Sequence, residues 1–337
     1  MIDALIQLSL FSAKAVILVV LLLILLAGIL AITSKGKDKQ KGRIHIKNLN
    51  DKFKSIKQSL QEEILPKEEL KKLLKQEKLA DKKRKKNKTQ PKQKNIYVIQ
   101  FTGDIKASAV SALREEVNAI LSIATREDEV VVRLESPGGM VHAYGLAAAQ
   151  LARFRHKNIP LTIAVDKVAA SGGYMMASIA NKILSAPFAI IGSIGVIVQL
   201  PNFHRLLKEN KIDFEQLTAG SYKRTLTVFG HNTEQAREKL KEEIEEIHHL
   251  FQQSILQYRP QIDMAKVATG EHWLGTQALA LDLVDEITTS DDYLLSRSKD
   301  ANLYEICYEQ KQPLGARIAS AVNTFIRPED YSSILLK

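Results

Sequence analysis

Residues Pro160–Ala180 read PLTIAVDKVAASGGYMMASIA, a turn and an apolar run followed by a serine and two glycines. The run Leu161–Val165 predicts a buried strand, and the segment from Tyr174 onward predicts a helix. Ser171 therefore lies where a strand meets a helix N-terminus, whose N–H groups and dipole favour a reacting group there. The two glycines let a substrate backbone come close. The alternative is an ordinary helix cap made by the Ser171 side chain.

Strands and helices alternate on both sides of this stretch. Apolar runs predict strands with helical segments between them: Ile96–Phe101, Val130–Leu134 and Leu161–Val165. Such alternation is typical of an α/β fold with parallel strands and right-handed crossovers. We expect this domain to cover residues 95–290, with a long amphipathic helix at 233–258 and a tail of undefined structure at 291–337. The apolar segment 189–200 is broken by glycine and serine, which favours buried strands and turns over a membrane span.

The N-terminal residues differ from this domain in composition. Residues 15–34 are uncharged and rich in Leu, Ile and Val, and about 20 apolar residues cross the ~30 Å hydrocarbon core of a bilayer. Their length and the lack of a small-residue cleavage site favour an uncleaved single-span anchor within residues 1–34. Residues 34–94 hold 22 Lys and Arg against 8 Asp and Glu, whereas the rest of the chain holds 26 against 30. We therefore assign residues 35–94 to a basic linker.

The linker has its own internal pattern. Its apolar spacing predicts two short amphipathic helices separated at Pro66, and then a disordered lysine-rich stretch that includes Lys82–Lys86. Beside a membrane span, such a stretch fits anionic lipid head groups, so the lipid bilayer is an expected partner. Nucleic acid is not expected, because Phe53 is the only aromatic residue in the linker. The lysines place the following domain in the cytoplasm by the positive-inside rule.

Small-residue loops follow the predicted strands and are the candidates for chemistry: Ser136–Gly139, Ala170–Gly173 and Gly192–Gly195. Such loops at the C-terminal ends of parallel strands build sites, and glycine exposes the backbone N–H groups that an oxyanion hole needs. A serine nucleophile also requires a base. The eight histidines have no metal-ligand spacing and none stands out as a base, so no metal and no cofactor is expected. The single cysteine, Cys307, excludes an intramolecular disulfide.

One lysine differs from those in the charge runs. Lys223 lies in a Gly-Ser-Tyr turn after a predicted strand, Phe214–Thr218. A lysine can replace histidine as a base when burial lowers its pKa toward neutrality. The alternative for Lys223 is an ordinary surface lysine in a loop.

Four motifs occur in one order with matching intervals: Ser136–Gly139, Ala170–Tyr174, Gly192–Gly195 and Ala219–Lys223. Together they resemble the signal peptide peptidase A family of serine–lysine peptidases. The anchor, the basic spacer and the segment Phe101–Ile105 resemble the SohB branch of that family. The resemblance covers the chain from the anchor to about Ile287.

The resemblance implies a ClpP/crotonase-like fold of stacked ββα units, preceded by one transmembrane helix and the basic linker. It implies that Ser171 is the nucleophile, with Lys223 as its general base and Ser193 orienting the lysine. The backbone N–H groups of Gly138 and Gly172 would then form the oxyanion hole. Ring-shaped homo-oligomers, in which neighbouring subunits can complete each other's dyad, are also implied.

The expected function is a bacterial inner-membrane serine endopeptidase. Its substrates would be signal-peptide remnants or other hydrophobic or misfolded envelope peptides. The family places the catalytic domain outside the cytoplasm, whereas the lysine flank indicates the cytoplasmic side. The alternatives are a non-catalytic membrane scaffold that keeps the fold and an acyl-CoA enzyme of the crotonase type.

Overall fold

The computed structural model describes residues 7, 10–24, 42–86, 93–220 and 222–309. The chain divides into a unit of residues Ile44–Tyr308 and a unit formed by the two chain ends, Met1–Arg43 and Glu309–Lys337. In the latter, residues 10–24 are helical with exposed apolar side chains. No helix among the described residues is long and apolar enough to cross a membrane. The second half of the predicted span 15–34, from residue 25 on, lies outside the described residues.

Two sheets form the framework of the larger unit. The order of strands is β1-β10-β2-β3-β4-β6-β9 in the seven-stranded sheet and β5-β7-β8 in the three-stranded sheet. The strands are β1 (Arg43–Asn48), β2 (Lys94–Thr102), β3 (Glu129–Glu135), β4 (Leu161–Val165), β5 (Val168–Ala170), β6 (Lys182–Ser185), β7 (Ile190–Gly192), β8 (His272–Leu274), β9 (Glu286–Ile287) and β10 (Ala301–Glu309). The pairs from β10 across to β9 are parallel, and β7 and β8 are antiparallel. The predicted α/β class is therefore confirmed.

Helices connect and cover these strands. They are α1 (Leu49–Ile64), α2 (Lys67–Lys86), α3 (Val110–Leu121), α4 (Val141–His156), α5 (Gly172–Ala177), α6 (His204–Glu209), α7 (Glu234–Leu256), α8 (Met264–Val267), α9 (Gly275–Ala280) and α10 (Ser290–Arg297). Helix α4 packs against both α3 and α5. Its buried face carries small residues such as Ala147 and Ala148 beside Leu151, which lets its neighbours come close. The long helix predicted at 233–258 is confirmed as α7.

Both segments that flank the predicted domain contribute strands to the seven-stranded sheet. Strand β1 lies in the predicted linker, and β10 lies in the predicted tail and pairs with β2 in parallel, with Ala301 opposite Lys94. The prediction of an undefined tail is therefore wrong for residues 291–309, which hold most of α10 and all of β10. The predicted disorder of Lys82–Lys86 is also wrong, because α2 continues through it. The remaining residues of the tail lie outside the described part of the chain.

The segment after β6 leaves the core part-way along its length. Ile191 and Ile194 are fully buried, whereas Ile197 and Val198 are exposed. The prediction of buried strands at 189–200 is confirmed for the first half and wrong for the second. The strand predicted at Phe214–Thr218 is absent, and an exposed loop runs there instead. This loop carries Lys223.

Candidate active site

Ser171 occupies a sharp turn between β5 and α5. Its backbone angles are φ 51° and ψ −119°. Non-glycine residues rarely adopt a positive φ, and those that do are concentrated at functional sites. Two hydrogen bonds hold the turn, from the Ser171 N–H to Gly192 O (2.8 Å) and from the Met175 N–H to Ser171 O (3.0 Å). The turn resembles the strand-to-helix elbow that presents a serine nucleophile in other hydrolases.

The Ser171 side chain is not used as a helix cap. Although Ser171 stands at the N-cap position of α5, its hydroxyl caps no N–H group of the helix. Within the described residues, the Ser171 Oγ atom has no hydrogen-bond partner of any kind. The helix-cap alternative is therefore wrong, and the hydroxyl is available to a ligand.

An apolar cavity of about 180 Å³ opens beside Ser171. Its walls are mainly hydrophobic side chains, three of them from α7: Val141, Met175, Val196, Ile247, Leu250 and Phe251. Ser254 also lines it, but its hydroxyl donates to Phe251 O (2.7 Å). An apolar cavity of this kind accepts an apolar side chain and excludes water. The amphipathic pattern of α7 predicted a buried face, but the sequence analysis did not predict that this face lies beside Ser171.

Gly138 approaches Ser171 so closely that no larger residue fits. A Cβ atom at Gly138 would lie 2.7 Å from Ala170 O and 2.8 Å from Ser171 Cβ, and the backbone φ is +91°. The Gly138 N–H group, a predicted oxyanion donor, donates to Ser136 Oγ (3.1 Å). The N–H groups of Gly139 and Gly172, by contrast, donate to none of the residues that the structure describes, and both glycines line the cavity. Two such donors beside a serine are what an oxyanion hole requires.

Ser193 lies beside Ser171. Strands β5 and β7 are parallel with Ala170 opposite Gly192, so the next residue on each strand is one of the two serines. Ser193 also has a positive φ, of 51°. Its N–H donates to Glu271 O (2.7 Å), which fixes the turn from the side of β8. The structure therefore brings two of the predicted site residues together.

Lys223 is separate from this group. It is exposed, and its N–H donates to Gly220 O (3.2 Å). Its Nζ has no hydrogen bond or ion pair with any described residue, and Lys223 does not line the cavity at Ser171. The same loop exposes Leu217 (97%) and Tyr222 (56%). No hydrogen bond among the described residues joins Lys223 to Ser171 or Ser193, so the predicted pair of Ser171 and Lys223 stays a prediction.

Comparison with known proteins identifies the family. The model of the Peptidase family S49 N-terminal region matches residues 3–151, and the Peptidase family S49 model matches residues 153–304. A Haemophilus influenzae protein named "Probable protease SohB" is 52% identical over 309 residues, which is 88% of each chain. This chain belongs to peptidase family S49. It is a serine-type peptidase and hence a hydrolase, and its predicted resemblance to the SohB branch is confirmed.

Another relative and a solved structure are also similar to this chain. A "Probable protease SohB" of Buchnera aphidicola subsp. Schlechtendalia chinensis is 46% identical over 305 residues, covering 88% of this chain and 100% of the relative. Among solved structures, a mutant of the 1510-N membrane-bound stomatin-specific protease with a substrate peptide has a TM-score of 0.42 and 13% identity. The similarity covers 69% of this chain and 99% of that chain.

Proposed function

We propose that this chain is a serine–lysine endopeptidase with Ser171 as its nucleophile. The observation that carries the proposal is the free Ser171 hydroxyl, held on a positive-φ turn and facing an apolar cavity. A serine on such a turn is presented to substrate without competition from local hydrogen bonds. The four motifs of the sequence and the membership in family S49 support the same role. The ClpP/crotonase-like fold and its ring-shaped assembly belong to this proposal.

The oxyanion of the tetrahedral intermediate would bind two backbone N–H groups. Gly172 supplies one, at the start of α5, where the helix dipole also favours negative charge. For the other we propose Gly139 in place of Gly138, because the Gly138 N–H donates to Ser136 Oγ. The Gly139 N–H has no such partner among the described residues, and Gly139 lines the same cavity as Ser171.

Lys223 would act as the base, and it would come from a neighbouring copy of the chain. Its exposed loop carries apolar side chains that a second subunit would cover. The neutral amine would take the Ser171 proton as Oγ attacks the scissile carbonyl carbon, and Ser193 would orient that amine. The ammonium would then protonate the leaving nitrogen as the C–N bond breaks. Water, deprotonated by the same lysine, would release the acyl group and restore Ser171.

The cavity at Ser171 supports the expected class of substrate. None of the described residues in its walls is charged, and about 180 Å³ suits an aliphatic side chain of moderate size at the residue before the scissile bond. Signal-peptide remnants and misfolded envelope segments are rich in such residues. We therefore propose hydrophobic peptides as substrates.

We also propose that residues 15–34 anchor the chain in a bacterial inner membrane, with the lysine-rich linker against anionic lipids. The uncharged sequence of this segment and the charge of the linker support this. Alkaline extraction of membranes tests it, because a chain lacking residues 1–34 should be released and the full chain retained. Protease accessibility in spheroplasts, compared with inverted vesicles, decides between the two sides of the membrane.

The first experiment is labelling of the detergent-solubilised full chain with a fluorophosphonate, followed by peptide mapping. We expect an adduct on Ser171 that disappears in Ser171→Ala and Lys223→Ala. The matched controls are Ser254→Ala, which removes another hydroxyl from the same cavity, and Lys208→Ala, which removes another exposed lysine nearby. Both controls should be labelled as wild type. An unlabelled wild type with intact folding would favour the scaffold alternative.

Co-expression of two differently tagged inactive variants tests whether the dyad is shared. Ser171→Ala retains the lysine and Lys223→Ala retains the serine. In a ring with head-to-tail contacts, random mixing places an intact serine beside an intact neighbouring lysine in about a quarter of the sites. We therefore expect hydrolysis at about a quarter of the wild-type rate. No hydrolysis in purified mixed oligomers would mean that both residues come from one chain.

A further inference from the structure

Tyr144 connects the loop before Gly139 to the start of α5. The side chain is fully buried on α4. Its hydroxyl donates to Asp104 O (2.8 Å) and lies 2.6 Å from Ser136 Oγ. A carbonyl oxygen can only accept, so the one phenolic proton is used there, and the Ser136 hydroxyl must donate to the Tyr144 oxygen. Ser136 Oγ then accepts the Gly138 N–H.

The result is a chain of hydrogen bonds with one direction. It runs from the Gly138 N–H through the hydroxyls of Ser136 and Tyr144 to the Asp104 carbonyl oxygen. Two backbone hydrogen bonds attach Ser136 to the neighbouring strand β5. The Ser136 N–H donates to Val168 O (2.8 Å), and the Ser136 carbonyl accepts from the Ala170 N–H (3.0 Å). Burial raises the pKa of Tyr144, which keeps its hydroxyl protonated near neutral pH.

The aromatic ring of Tyr144 meets the other side of the site. A Cβ atom at Gly172 would fall on Tyr144 Cγ and lie 2.7 Å from Tyr144 Cβ. A Cβ atom at Gly103 would fall on the Tyr144 hydroxyl and lie 2.6 Å from Ser136 Oγ. Two glycines therefore make room for the ring and for the hydroxyl. One side chain thus packs directly against the Gly172 backbone and holds the Gly138 peptide through Ser136.

We propose that Tyr144 is a positioning residue that sets the distance between the Gly139 and Gly172 N–H groups. Its ring fixes the backbone at Gly172, and its hydroxyl, through Ser136, fixes the N–H of Gly138, the residue before Gly139. Oxyanion donors stabilise a transition state only when they already stand at the correct separation. This inference rests on the proposed function, because the two N–H groups matter to catalysis only if Ser171 forms the tetrahedral intermediate.

The test compares Tyr144→Phe with Tyr174→Phe in the full-length protein. Tyr174 is an equally buried tyrosine, and its hydroxyl donates to Leu283 O (2.8 Å), away from the Ser136 loop. Both variants lose a buried hydroxyl and a hydrogen bond to a backbone carbonyl. Peptide hydrolysis, affinity for a peptide aldehyde that forms a hemiacetal with Ser171, and hydrogen exchange of the segment 136–140 are measured on folded fractions.

For Tyr144→Phe we expect kcat to fall by about tenfold or more with KM changed by less than about twofold. Aldehyde affinity should fall by a similar factor, and the segment 136–140 should exchange faster. Ser136→Ala should behave in the same way, and Tyr174→Phe should match wild type in all three measurements. Equal kcat losses in the two tyrosine variants, or a change confined to KM, would overturn the proposal. If wild type itself shows no reaction that depends on Ser171, the proposed function fails, and this inference fails with it.

Discussion

Replacing Glu129 with glutamine removes the charge at the centre of a buried polar cluster. Glu129 is 4% exposed. Its Oε1 accepts hydrogen bonds from Thr162 (2.9 Å) and Tyr293 (2.6 Å). Its Oε2 pairs with Lys94 (3.1 Å) and Arg297 (3.2 Å). Because glutamine keeps only one acceptor oxygen, Glu129→Gln places an NH₂ group against two of the four donors.

The size of the loss follows from these contacts. Hydrogen bonds to a charged group contribute about 1.5–3 kcal/mol each, so the loss of two gives a gross cost of roughly 3–6 kcal/mol. The side chains of Lys94 and Arg297 are 33% and 31% exposed and can turn to water, which brings the net loss to roughly 3 kcal/mol. In a domain of this size, the melting temperature should fall by roughly 6–12 °C.

The loss should also depend on pH. Burial raises the pKa of the Glu129 carboxyl, but hydrogen bonds from Tyr293 and Thr162 and the charge of Lys94 outweigh burial and hold it below its ordinary value of 4.5. A lowered folded-state pKa stabilises the protein above the unfolded pKa, and the stabilisation disappears as the pH falls through the folded value. The difference between wild type and Glu129→Gln should therefore be complete near neutral pH and shrink below about 4.5.

Urea unfolding followed by circular dichroism, at about pH 7 and about pH 3, measures both effects. The control is Glu135→Gln, which removes an ion pair with Lys167, whose side chain is 71% exposed. The control should lose no more than about 1 kcal/mol. Equal losses in the two variants would refute the argument from burial. A Glu129→Gln loss that does not shrink in acid would refute the argument from the charge.

Three further substitutions test other parts of the structure. Gly138→Ala places a methyl group 2.8 Å from Ser171 Cβ. We therefore expect peptide hydrolysis to fall about a hundredfold while the circular dichroism spectrum stays unchanged. Wild-type activity in this variant would contradict the geometry. Arg259→Leu removes two hydrogen bonds to Asp285 and should cost about 3 kcal/mol in urea unfolding; unchanged stability would contradict this. Ile255→Ala, at a fully buried position of α7, should cost about 2–5 kcal/mol in the same assay, and a loss below about 1 kcal/mol would show that α7 is not anchored there.

The central strands and helices could be predicted because their apolar patterns are local. Leu161–Val165 is buried at every position, so a continuous apolar run identified it. Strand β10 has no comparable run, and its pairing with β1 and β2, both far earlier in the chain, makes it a strand. At Phe214–Thr218 the opposite occurs, because strand propensity without a neighbouring strand produces no strand.

The sequence predicted some parts of the candidate site and not others. Ser171 and Ser193 stand at the ends of two paired strands, so the topology alone brings them together. Lys223 lies in an exposed loop that does not pair with a strand, so no local pattern encodes its position relative to Ser171. The Gly138 N–H donates to Ser136 Oγ, and Ser136 Oγ in turn is bonded to the Tyr144 hydroxyl. Tyr144 lies on the buried face of α4, outside this loop. Helical spacing predicts that Tyr144 is in a helix but not which hydroxyl it meets.

The place of β10 in the sheet has a consequence for biosynthesis. Among the described strands, β1 pairs with β10 alone, and β10 also covers one edge of β2. Until the ribosome has produced Glu309, β1 therefore has nothing to pair with, and β2 presents open backbone N–H and C=O groups to other chains. Translation stalled or cut short before Ala301 yields a polypeptide that still contains Ser171 and β1 but lacks β10, the strand that joins β1 to the sheet. We expect chaperones and other proteases to bind such a fragment, so the pairing of β10 marks a chain that has been made at least as far as Glu309.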